Sequence, residues 1–148
     1  MAFNGMGNRR RSRRIRIVLD SNMLLAVAEG INVFDRIEEK LLTKPDYIVI
    51  QPVLDELEKL TRSQSPKTAK KARLALEIAE KYCVFDKYNY DKKKDVDDLI
   101  IEYAEKNNVV VATNDRELKK KLRKKGIPQI YLREHGLIET DLGEYIII

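Results

Sequence analysis

Two short hydrophobic runs each end in an acidic, amide-bearing turn, and that pairing limits the fold more than any other feature of the chain. Ile15-Arg16-Ile17-Val18-Leu19 runs into Asp20-Ser21-Asn22, and Val109-Val110-Val111-Ala112 runs into Thr113-Asn114-Asp115. The first begins with alternation and ends continuously apolar, as a central strand buried on both faces requires. Ligands of open parallel sheets bind beyond the carboxyl ends of the strands, so both turns belong on one functional edge. Each turn taken singly has a plainer reading, because Asp and Asn begin helices and turns routinely.

Between and after these runs, strands and helices alternate. A helix follows Asn32, with Val33, Phe34, Ile37, Leu41 and Leu42 on one face. Tyr47-Ile48-Val49-Ile50 reads as a strand, and Pro52 opens the next helix, a favoured place for proline. Ser63-Gln64-Ser65-Pro66 is a loop, residues 67–81 form a long helix, and residues 82–85 a short strand. The polar stretch 86–94 is a loop. Asp95 caps a helix running to Asn107. Residues 116–125 form another helix that Gly126 stops, and Gln129-Ile130-Tyr131-Leu132 is the fifth strand. The C-terminal Tyr145-Ile146-Ile147-Ile148 reads as an edge strand or docking segment. Alternation of this kind implies right-handed crossovers and a three-layer α/β/α fold around a mainly parallel, five-stranded sheet.

The 148 residues suffice for one domain. Arg9, Arg10, Arg11, Arg13, Arg14 and Arg16 alone exceed the net charge of +5, so the basicity is concentrated near the N-terminus. Residues 1–14 read as a flexible basic arm and residues 15–148 as the folded domain. The arm is a handle for nucleic-acid phosphates or a solubilising tail. One cysteine, Cys83, permits no intrachain disulfide and points to the reducing cytoplasm. No apolar run is long enough to span a membrane.

Two helices add acidic pairs. At about 100° per residue, Val96, Leu99, Ile100, Tyr103 and Ala104 form an apolar stripe. Asp97 then stands at its margin and Asp98 in solvent, where it can reach back toward the cap at Asp95. In the helix after Pro52, Val53, Leu54, Leu57 and Leu60 form the stripe, Glu56 flanks it and Asp55 points away. Glu56 and Asp97 are therefore the carboxylates able to face a cleft with Asp20 and Asp115. Two carboxylates about 5 Å apart repel by roughly 3 kcal/mol at an effective dielectric of 20. Convergence of four calls for a cation, and hard oxygen donors suit Mg²⁺ or Mn²⁺ rather than zinc. The lone His135 reads as a surface residue. Other uses of such a sheet fail on the motifs: neither a G-x-G-x-x-G nor a G-x-x-x-x-G-K-[ST] loop occurs. A phosphatase of the haloacid dehalogenase kind needs a second Asp where Asn22 stands.

With Asp20, Glu56, Asp97 and Asp115 in this order, residues 15–132 resemble the PIN-domain nucleases. The matching stretches are Val18-Leu19-Asp20-Ser21-Asn22, Val53-Leu54-Asp55-Glu56-Leu57, Asp97-Asp98-Leu99-Ile100 and Ala112-Thr113-Asn114-Asp115-Arg116-Glu117-Leu118. The resemblance implies that those four acids bind one or two Mg²⁺ or Mn²⁺ ions and cleave single-stranded RNA. Ser21, Asn22, Thr113 and Asn114 match supporting polar positions, Asp98 can replace Asp97, and Asp55 can assist Glu56. The stretch from Thr113 to Leu132 is most similar to archaeal relatives of the endonuclease that processes small-subunit ribosomal RNA, which implies ribosome-assembly partners. The neighbouring branch is the VapC-type toxin, whose usual pattern this chain leaves by placing its fourth acid directly after Asn114. A non-catalytic RNA-binding module of a ribosome-assembly complex is the alternative from another class. Arg116, Lys119 and Lys120, like the arm, are the candidate RNA contacts, with Lys92, Lys93 and Lys94 preceding Asp97. No aromatic series suggests base stacking. Compact members of the family resemble dimers, and helix 67–81 is a candidate interface for a homodimer.

Overall fold

The computed structural model describes residues 14–142, apart from the side chain of His135. The arm residues Arg9, Arg10, Arg11 and Arg13, the C-terminal run 145–148 and the expected exposure of His135 lie outside the described residues. Strand β1 (Arg16–Leu19) leads into helices α1 (Ser21–Ala28) and α2 (Val33–Leu41). Then come β2 (Asp46–Ile50), α3 (Gln51–Leu60), α4 (Pro66–Tyr82) and β3 (Cys83–Asp86). The second half runs through α5 (Val96–Asn107), β4 (Val110–Ala112), α6 (Arg116–Lys124), β5 (Gln129–Leu132) and β6 (Ile138–Asp141).

The sheet has the order β3-β2-β1-β4-β5-β6. Every pairing is parallel except that of β5 with β6. The chain winds outward from β1 through β2 to β3, then returns across β1 to β4 and winds the other way. Right-handed crossovers on both legs place helices on both faces of the sheet. The reversal also opens a crevice at the carboxyl ends of β1 and β4, the usual place for a ligand in such sheets.

Register fixes which residues share that edge. Leu19 pairs with Ala112, Val18 with Ile48, and Ile50 with Asp86. Asp20, Ile50, Asp86 and Thr113 therefore leave four neighbouring strands at one level. The amide of Asp20 still donates to the Ala112 carbonyl at 3.1 Å, and that of Thr113 to the Ile130 carbonyl at 2.9 Å. Below this level the three central strands bury an apolar layer: Ile17, Val18, Val49, Val110 and Val111 are all fully buried.

Three elements differ from the sequence expectation. Helix α1 shows no stripe of its own, because only Asn22 among its eight residues is exposed, and a helix buried nearly all round has no amphipathic signature. Among the described residues the sheet has six strands rather than five. Gly136, at φ 74°, turns the chain back after β5, and Ile138 is buried as β6 pairs antiparallel. A Cβ at Gly136 would lie 2.6 Å from the Arg36 guanidinium, so glycine suits both the backbone and the close approach. Leu42 does not extend the apolar face of α2: it ends the helix in the left-handed region (φ 56°) and is exposed. Among the described residues no helix is long and apolar enough to cross a membrane.

Candidate active site

Asp20 is the most deeply set of the acids, with 5% of its surface exposed. It caps α1: Oδ1 accepts from the Met23 amide at 2.9 Å, while Oδ2 accepts from the Thr113 hydroxyl. Asp115 caps α6 in the same way, accepting from the Leu118 amide at 2.9 Å. The cap reading and the site reading of these aspartates therefore hold together, because each helix amide fixes a carboxylate at the crevice. Thr113 joins the two. Fully buried, it donates to Asp20 and accepts from the Asp115 amide at 2.9 Å.

The helices bring the other two acids to the same edge. Glu56, half-buried on α3, accepts from the buried Ser21 hydroxyl at the start of α1. Asp97 is half-buried in the first turn of α5, and Asp98 beside it is exposed, as the helical periodicity predicts. Asp98 does not turn back to cap; its carboxylate pairs with Lys121 of α6 at 3.4 Å, and the Asp95 side chain makes no cap hydrogen bond. Asp55 does not point away into solvent either. It is half-buried, accepting from Gln51 Nε2 at 3.0 Å and from Tyr90 Oη.

Electrostatics tie the acids into one group. Burial pushes the Asp20 carboxyl up to about 7; its hydrogen bonds from Thr113 and Met23 oppose this, and the charges of Asp97 and Asp115 add to it. Asp97 is also raised, first by burial, then by Asp115, with Glu56 and Asp98 adding to the effect and Lys121 opposing it. The donor set is all carboxylate oxygen, flanked by hydroxyls, which fits a hard divalent cation whose charge would offset both the burial and the like charges that raise Asp20. Among the described residues no three acidic, imidazole or thiol groups close into a compact ligand cage.

The rim is polar. Asn22 and Asn114 are exposed beside Asp20 and Asp115. On α6, Arg116 is exposed, Lys120 pairs with Glu117 at 3.8 Å, and the Lys119 ammonium lies 4.5 Å from the Tyr131 ring centroid. Arg14 is held to the domain, donating to the Lys44 carbonyl at 2.9 Å and pairing with Asp46 at 3.5 Å. The Cys83 thiol, pushed up to about 12 by burial, is no nucleophile at neutral pH.

Contrary to the sequence expectation, aromatic side chains do gather near this edge. Tyr88 stacks on Tyr103 and meets Tyr90 edge-on. No periodicity links residues on a loop and on a helix, so only the presence of Tyr-Asn-Tyr in a lysine-rich loop could have signalled them.

Comparison with known proteins agrees with this fold. The family model described as PIN like domain matches residues 17–135. Ribonuclease VapC4 of Methanocaldococcus jannaschii is 38% identical over 129 residues, covering 84% of this chain and 95% of its own. Ribonuclease VapC9 of Archaeoglobus fulgidus is 32% identical over 137 residues, covering 91% and 96%. Among solved structures, the PIN domain endonuclease Utp24 matches with a TM-score of 0.70 at 25% identity, covering 91% of this chain and 95% of that one. A domain of a functionally unknown protein from Methanocaldococcus jannaschii shares the fold, with a TM-score of 0.59 at 18% identity over 80% of this chain and 91% of that one.

Proposed function

The chain belongs to the PIN-like domain family, and from that premise we propose that it is a metal-dependent endoribonuclease acting on single-stranded RNA in the cytoplasm. The observation that carries this reading is Asp20, a carboxylate raised first by burial and further by its acidic neighbours, and held in place by Thr113 and the start of α1. Asp20, Glu56, Asp97 and Asp115 are the residues that would hold Mg²⁺ or Mn²⁺. When bound, the cation supplies a water of lowered pKa and neutralises charge developing on the phosphodiester.

The chain's own groups do the positioning. Thr113 keeps Asp20 and Asp115 at a fixed separation, and Ser21 aims Glu56 at the crevice. Asn22 and Asn114 stand at the rim, where their amides meet the sugar-phosphate backbone. Arg116, Lys119 and Lys120 of α6, together with Arg9, Arg10, Arg11, Arg13 and Arg14, hold flanking phosphates.

Processing of ribosomal RNA is the role this reading favours, supported by the likeness to the endonuclease Utp24 along nearly the whole chain; it implies ribosome-assembly partners. A second reading, a toxin ribonuclease held by an antitoxin, is supported by the names of the two VapC relatives. Both use the same chemistry and differ in the RNA. The deciding assay is cleavage of end-labelled single-stranded RNA by wild type and Asp20→Asn in Mn²⁺, Mg²⁺ and EDTA. Metal-dependent internal cuts that the variant lacks are the expected result. RNA binding without cleavage under any metal would make the protein a non-catalytic RNA-binding module. Growth arrest on expression, relieved by Asp20→Asn, would select the toxin role over processing.

A further inference from the structure

The loop between β3 and α5 takes no part in the acidic cluster, yet the parallel topology brings it to the same edge. Asp86 ends β3 level with Ile50, so the chain leaves β3 beside the start of α3. There the Tyr90 hydroxyl donates to Asp55 Oδ2 at 2.5 Å, and Gln51 donates to Oδ1 at 3.0 Å. Asp55 adjoins Glu56, so these bonds tie the loop to the helical turn that carries a site carboxylate. Tyr88 and Tyr90 meet edge-on with ring centroids 6.3 Å apart, and Tyr88 is backed by Tyr103 of α5 at 6.2 Å and 23°. The two tyrosines wall an open cavity of about 500 Å³, completed by Gln51, Asp55 and Asn89. Exposed Lys87 and Lys92 line it as well.

Each component has a chemical counterpart in a nucleotide. Aromatic rings held in place by neighbours offer a stacking surface that any base accepts. The amides of Gln51 and Asn89 offer donors and acceptors for a base edge. Both Asp55 oxygens already accept hydrogen bonds, and the two lysines attract phosphate. Strands lie about 4.8 Å apart, so β3 stands about 10 Å from β1 along the sheet edge. The cavity is thus displaced from Asp20 toward a flanking nucleotide.

Resting on the single-strand nuclease reading above, we propose that this cavity is a nucleotide subsite. A base flanking the cleaved bond stacks against Tyr88 and Tyr90, and Lys87 and Lys92 hold the adjoining phosphates. The subsite extends the RNA path away from α6, so that the acidic crevice lies between an aromatic flank and a basic one.

The test is binding of the full chain, in EDTA, to a fluorescently end-labelled single-stranded oligoribonucleotide and to the same oligomer with abasic positions. Wild type should bind the base-bearing strand about tenfold more tightly than the abasic one. Tyr88→Phe should keep that preference and Tyr88→Leu should lose it, with circular dichroism confirming that both are folded. Lys87→Gln combined with Lys92→Gln, at exposed positions, should weaken both strands equally and flatten the salt dependence by about two charges. Failure of wild type to bind, equal affinity for the two strands, or a preference that survives Tyr88→Leu would overturn the subsite. Because the readout needs no metal, a protein that cleaves nothing but shows the tyrosine-dependent preference loses the nuclease reading and keeps the subsite. One that cleaves without the preference does the reverse.

Discussion

Asp115 and the lysines of α6 are neighbours in sequence, yet their charges meet different physical fates. Asp115 is fixed at the helix start by the Leu118 amide and by its own amide on Thr113, beside an Asp20 almost sealed from water. The lysines that follow reach outward to acids on the surface. Lys120 meets Glu117, Lys121 meets Asp98 and Lys125 meets Glu105, all on substantially exposed side chains. Exposed pairs of this kind contribute little and are screened by salt. A buried carboxylate among like charges instead stores unfavourable energy that only a cation or a proton relieves. On the proposed function, the basic helix attracts the polyanion and the acidic edge acts on it.

The sharpest way to break that contrast is Asp20→Asn. Cleavage should fall by about 10³-fold, measured as initial rates in Mn²⁺. The metal-free protein should at the same time become more stable at pH 8. Burial raises the folded pKa of Asp20 to about 7, so its contribution is full below about pH 4 and is lost as pH rises through 7. The shift corresponds to up to about 4 kcal/mol. Thermal unfolding in EDTA across that range should show a downward slope in wild type that the variant lacks.

The acidic pair on α5 offers the next test. Asp97→Asn should lose about 10²-fold in rate, whereas Asp98→Asn, whose carboxylate is spent on Lys121 in solvent, should stay within about threefold of wild type. Equal losses would remove the distinction between buried and exposed acids.

Thr113→Val removes the hydroxyl that joins Asp20 to the Asp115 amide. The expected loss is roughly 10- to 100-fold in rate and about 2 kcal/mol in stability, with most of both restored by Thr113→Ser. A silent Thr113→Val would mean that the two aspartates are held by their helices alone.

The smallest effect should come from the basic side. Arg116→Gln with Lys120→Gln should weaken RNA binding only severalfold at moderate salt and reduce the slope against log salt by about 1.4, at about 0.7 per charge on a single strand. A large loss that persists at high salt would place these residues in the chemistry instead.

Much of the site was legible because it depends on strand ends. Asp20 and Asp115 follow hydrophobic runs directly, and helical periodicity separates half-buried Asp97 from exposed Asp98 on one turn. Asp55 was misread because Tyr90, which joins Gln51 of the same helix in bonding its carboxylate, comes from a distant loop that no helical wheel contains. The tyrosine cavity was missed for the same reason. Helix α1 and strand β6 were missed on weaker local signals, one buried nearly all round and the other completed by the reversal at Gly136.

The sequence by itself determined the class of fold and that four carboxylates stand along one sheet edge, since periodicity and turn chemistry act over a few residues. Tertiary structure alone decided which hydroxyl orients which acid, how far burial raises Asp20, and which loop joins the edge. Those follow from the crossing of the chain at β1, where register sets residues 93 positions apart side by side.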